Sequence, residues 1–144
     1  MNRQKAREYM MTVLFQMDAS GGFEINDMDH YLKEAKIGAI KAEQKLGKQR
    51  EYCEEVYSLA CNKIEEIDAA ISKYSRKWKI SRTPKTDLAI MRLAVLELLY
   101  IDDIPESVSI NEAVELAKAY CEESSPSYIN GILGSLAKDN KKKR

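Results

Sequence analysis

Residues 107–133 read SVSINEAVELAKAYCEESSPSYINGIL, and this stretch decides the fold. Ile110, Ala113, Val114, Ala117 and Cys121 fall at i, i+3, i+4, i+7 and i+11, the spacing of one buried helical face. Ser109 stands ahead of that run with Glu112 three residues on, the pattern of a reciprocal N-terminal cap. Glu122-Glu123-Ser124-Ser125 breaks the periodicity. Ser125 offers a second cap, with Pro126 in the first helical position, where a missing N–H costs nothing. Ile129, Ile132, Leu133 and Leu136 form the next apolar stripe, and Gly131 and Gly134 are expected to admit a close neighbouring helix. The stretch is a helical hairpin that needs a surface to cover.

That surface lies just upstream. From Leu88 to Ile101 the chain leaves almost no polar face, and a helix apolar on all sides belongs at the centre of a domain. Thr83-Pro84 opens it and Asp102-Asp103-Ile104-Pro105 stops it. Its two charges, Arg92 and Glu97, are five residues apart, roughly 140° round the helix, so each must find its partner on another helix. Further back, Cys53, Val56, Tyr57, Ala60, Ile64, Ile67, Ile71 and Tyr74 keep helical spacing over about six turns. The connector 75–82 is basic and irregular and contains Trp78. At the start, Ala6, Met10, Val13, Leu14 and Met17 mark a first helix that Ser20-Gly21-Gly22 ends, with Arg3 and Arg7 on its outer face. A weaker helix from about Asn26 uses Met28, Leu32 and Ala35.

The pattern predicts an all-α protein of about six to seven helices and no strands, built as two small helical bundles sharing the central apolar helix. A single domain fills 1–144, with an N-terminal subdomain over about 1–75, a C-terminal one over about 76–138, and a basic tail at 139–144. At 144 residues the chain is long enough for a core of its own.

Composition narrows the function. Lys plus Arg equals Asp plus Glu at 23 each, so attraction to nucleic acid over the whole surface is excluded and any such binding is local. Arg3, Lys5 and Arg7 form one basic cluster and Lys141 to Arg144 another, which reads as a solvated end. Cysteines 53, 61 and 121 are odd in number and lack metal-ligand spacing, so they read as small buried hydrophobes of a reducing cytoplasm. His30, the one histidine, has no Cys or His at ligand spacing and no base to share a catalytic role. No glycine-rich phosphate loop, signal peptide or membrane-length apolar run is visible, and the protein is expected to be cytoplasmic, to need no cofactor and not to be an enzyme. What remains is binding, with basic side chains for phosphates and exposed tyrosines for unpaired bases.

Several ordered stretches resemble the NusB family of transcription antitermination factors. Ile110 to Lys118 (INEAVELAK) with Tyr128 to Leu133 (YINGIL) resembles its C-terminal signature. Arg3-Gln4-Lys5-Ala6-Arg7-Glu8 with Leu14-Phe15 resembles its basic first helix, and Ile67-Asp68 with Ile71 its third. Trp78, Arg82, Asp87, Ile90, Arg92, Leu93, Ala94 and Glu97 resemble the central helix. The resemblance implies two three-helix subdomains and binding of the boxA element of ribosomal RNA transcripts as single strand. It implies partnership with NusE, the ribosomal small-subunit protein that doubles as a transcription factor, and association with the transcription elongation complex. By position it assigns Arg3, Lys5, Arg7, Tyr120, Ser124 and Tyr128 to RNA, and Phe15, Arg82 and Asp87 to the NusE-facing side. The basic arm holds only three cations, and the lysine-rich residues 36–50 do not align. The alternative is a protein–protein scaffold of the same fold with little RNA affinity. An exposed apolar patch would serve a homodimer or NusE equally. A third class, the NusB-like domain joined to an RNA methyltransferase, needs a cofactor-binding α/β domain for which this length has no room.

Overall fold

A computed structural model of the protein describes residues 1–76 and 79–143. Trp78, matched to the family's central region, lies outside them. Six α-helices run in order: α1 (Arg3–Ala19), α2 (Ala42–Leu46), α3 (Arg50–Tyr74), α4 (Lys85–Tyr100), α5 (Glu106–Tyr120) and α6 (Ser125–Lys143). The all-helical expectation holds, and α4 is the shared centre. It packs against α1, α3, α5 and α6, and every residue from Asp87 to Leu98 is buried. The core is one continuous cluster reaching from Ala6 on α1 to Ala137 on α6.

Local sequence explains most helix ends. The Asn2 side chain accepts from the Lys5 amide at 2.8 Å and caps α1. Gly21, at φ +101°, turns the chain out of that helix. Pro84 and Pro105, which cannot continue a preceding helix, stand directly before α4 and α5.

Four expectations are corrected. The weak helix from Asn26 is replaced by a 3₁₀ turn (Ile25–Asp27) and a wide turn (His30–Glu34) that buries Tyr31 and Leu32. Too few apolar residues stand there at helical spacing to cover one face. Two short antiparallel strands follow, against the expectation of none: β1 (Lys36–Ile37) pairs with β2 (Ile40–Lys41) around Gly38, which has φ +67°. Ser109 does not cap α5, which starts three residues earlier; its hydroxyl donates to Glu97 at 2.8 Å. Ser125 likewise turns its hydroxyl inward, donating to Asp87 at 2.6 Å. Nor do Gly131 and Gly134 admit a neighbouring helix. A methyl group at either would meet nothing within 4 Å.

Burial also sets an alkaline limit on stability. The Cys53 thiol is pushed up to about 12 from an ordinary 9.0, chiefly by burial, and the Tyr9 hydroxyl to about 12 from 10.0 for the same first reason. Both groups are neutral when protonated, so their stabilising effect is whole below the unfolded values. It is lost as pH climbs from about 9 toward 12, at up to roughly 1.4 kcal/mol per pH unit for each group. Unfolding free energy measured across pH 7–12 is therefore expected to stay flat to about pH 8 and then fall. Cys53→Ala should make the fall shallower, and an unchanged slope would remove Cys53 from the account.

Candidate nucleic-acid interface

The predicted RNA residues resolve into two exposed sets and one buried exception. The first set sits where α1 begins and α5 ends. Arg3 lies over the Tyr52 ring, its guanidinium carbon 4.2 Å from the centroid, and its Nε donates to the Gln49 side chain at 2.6 Å. Lys5 pairs with Glu8 at 3.5 Å, and the Tyr120 hydroxyl donates to the same carboxylate. Tyr120 is 49% exposed, so its ring face is open for stacking. Arg3, Lys5 and Tyr120 are thus brought together through the first turns of α1.

The second set lies where α3 ends and α6 begins. Ser124 and Tyr128 line a groove with Tyr74, Arg76 and Gly131, and the Tyr128 and Ser75 hydroxyls share a hydrogen bond. Arg76 also borders a polar channel with Ser75, Lys79 and Arg82. Reading the sequence had not singled out Arg76 or Lys79. The signal was present in the basic connector 75–82, where cations recur at 76, 79 and 82, but a loop's sequence does not say which way it faces.

Arg7 is the exception, and its placement on an outer face is corrected. It is 5% exposed, and its guanidinium grips the Glu97 carboxylate with Nε at 2.9 Å and Nη2 at 3.2 Å. Glu97, 1% exposed, also accepts from the Tyr52 hydroxyl at 2.5 Å and from Ser109. Burial works against the charge on Arg7, but the hydrogen bond and charge of Glu97 outweigh it, and the pKa is raised above its ordinary value. The same carboxylate, added to burial, raises Tyr52 strongly. Arg7 and Arg3 are four residues apart, yet only Arg3 clears the helix end. A guanidinium held by a buried carboxylate has no donor edge turned to a phosphate, so Arg7 is a structural residue. Arg92 behaves as expected of an unpaired central charge: it binds Asp68 on α3 through two bonds of 2.9 Å and lies 3.6 Å from Asp18 on α1.

The NusE-facing set divides too. Phe15 is 40% exposed on α1, and Arg82 is exposed beside the polar channel. Asp87 is corrected: at 2% exposure, accepting from Ser125, it ties the start of α4 to the start of α6 and presents nothing outward. Cys121, also near Asp87, is raised to about 12 by burial first and by that carboxylate second. His30 is exposed, and among the described residues no group of His, Cys, Asp or Glu is arranged to hold a metal. No described helix is long and apolar enough to cross a membrane.

Comparison with known proteins agrees with this architecture. The model of the NusB family matches residues 4–138. The transcription antitermination protein NusB of Alkaliphilus oremlandii is 46% identical over 134 residues, covering 93% of this chain and 91% of that protein. The one from Natranaerobius thermophilus is 42% identical over the whole of both chains. Among solved structures, T. maritima NusB superposes with a TM-score of 0.81 at 31% identity, covering 96% of this chain and 92% of that one. A structure of the antitermination factors NusB and NusE in complex with dsRNA contains a chain matching at TM-score 0.75 and 26% identity, covering 95% and 96%. With the family model matched across all six helices and full-length relatives above 40% identity, the chain belongs to the NusB family.

Proposed function

We propose that the protein is a cytoplasmic RNA-binding transcription antitermination factor, without catalytic activity. In this reading it takes boxA-type single-stranded RNA of ribosomal transcripts together with NusE and joins the elongating RNA polymerase complex. The observation that carries the reading is the grouping of exposed Arg3 and Lys5 with the open ring of Tyr120, phosphate-binding cations beside a stacking surface. Ser124, Tyr128 and Arg76 supply a second patch of the same chemistry. Phe15, a large apolar side chain left outside the core, is the candidate anchor for NusE. One observation favours a second reading, a scaffold of the same fold with little RNA affinity. Burial of Arg7 leaves the N-terminal arm two cations instead of three.

Fluorescence anisotropy separates the two. A boxA-like single strand, a scrambled strand and a duplex of the boxA sequence are titrated with and without NusE. Selective binding of the single boxA strand, strengthened by NusE, is the expected result. Binding of NusE with no preference among the three RNAs would leave the scaffold.

A further inference from the structure

Residues 36–50 carry Lys36, Lys41, Lys45, Lys48 and Arg50, and the fold lays this segment against the start of α1. The Met1 amino nitrogen donates to the Lys45 carbonyl at 3.0 Å, and the Arg3–Gln49 bond fastens the next turn. Between the outward face of α1 and the β1–β2 hairpin runs an open groove. Its cations are Lys5, Lys36 and Lys45, all exposed, against a single carboxylate, Glu8. That carboxylate is already engaged by Lys5 and Tyr120. The side-chain amides of Asn2, Gln16 and Gln44 border the same groove.

We propose that this groove is a further RNA-binding site that tracks the phosphate backbone of unpaired nucleotides flanking the segment bound at Arg3, Lys5 and Tyr120. The inference rests on the RNA-binding reading above and extends it to a part of the chain with no assigned role. Continuity carries it, because Lys5 belongs both to the first set of RNA residues and to the groove. The chemistry is suited to the backbone. Lysines act on phosphates as point charges, without the planar fork that reads a base edge, and amides bind sugar and phosphate oxygens. The walls are aliphatic, from Ile37 and Ile40, and the Tyr9 hydroxyl is engaged by the Tyr31 carbonyl, so the groove offers little for stacking. It contributes affinity without sequence preference, and it makes good the cation that Arg7 withdraws into the core.

The test compares a boxA-like core RNA with the same core extended by roughly six unpaired nucleotides on either side, a length within the usual reach of one single-strand groove. Parent and Lys36→Ala/Lys45→Ala proteins are titrated across a salt series, with circular dichroism as the check on folding. The parent is expected to bind one extended RNA roughly tenfold more tightly than the core near 0.15 M salt. The double variant should bind the core like the parent and lose that gain, its log–log salt slope on the extended RNA shallower by about 1.4. A parent that gains nothing from extension overturns the groove while leaving the RNA reading intact, as does a variant that keeps the gain. Equal weakening on core and extended RNA would move both lysines into the primary site and overturn a separate track. Absence of core binding by the parent would remove the RNA reading itself. A polyglutamate peptide seated in the groove, with no extension gain, would assign it to an acidic protein instead.

Discussion

Glu97→Ala is expected to cost about 3–5 kcal/mol of folding stability, lowering the thermal midpoint by roughly 10–20 °C. The carboxylate is the meeting point of three other helices: Arg7 from α1, Tyr52 from α3 and Ser109 from α5 all donate to it. Removing it leaves a guanidinium buried without a counter-charge and two hydroxyls without an acceptor. The cost of an uncompensated buried charge is larger than the net worth of the pair, so the partners must be compared separately. Tyr52→Phe, which deletes one hydrogen bond to a charged group and keeps the ring under Arg3, should cost about 1.5–3 kcal/mol. Changing both Arg7 and Glu97 to methionine should recover much of the loss, because no orphan charge is then left. Chemical denaturation of the four proteins measures each difference. A loss below about 1 kcal/mol for Glu97→Ala would mean that Arg7 swings out to water, and the cluster would not be the clamp described here.

Arg3→Ala/Lys5→Ala is expected to weaken boxA-like RNA binding by roughly 10- to 20-fold near 0.15 M salt, with the log–log salt slope shallower by about 1.4. Both side chains are exposed and neither anchors the core, so the thermal midpoint should move by no more than about 2 °C. Arg7→Ala should show the opposite division. Its loss falls on stability, and the salt slope of whatever protein remains folded stays that of the parent. The contrast is decisive because the three residues lie within five positions of one another and carry the same formal charge. An unchanged slope in the double variant would take Arg3 and Lys5 out of the RNA surface.

The positions of the helices were legible in the sequence because helical periodicity is a local property. The stripe from Cys53 to Tyr74 marked α3, and the unbroken apolar run from Leu88 marked α4 as the centre, since a helix with no polar face has only one place to go. Arg92 and Glu97 were legible as charges that needed partners elsewhere. Which partners they took was not. Arg7 and Arg3 look alike on a helical wheel, and Ser109 and Ser125 look like caps. Whether a cation meets solvent or a buried carboxylate depends on which helix crosses it, and that crossing joins residues as much as 90 positions apart. The same holds for the lysines at 36 and 45, unremarkable along the chain until the hairpin sets them beside Lys5. Spacing therefore determined the helices and the order of burial. Only the tertiary structure decided which charges hold the core together and which remain outside to meet a ligand, because long-range pairing of charges leaves no period in the sequence.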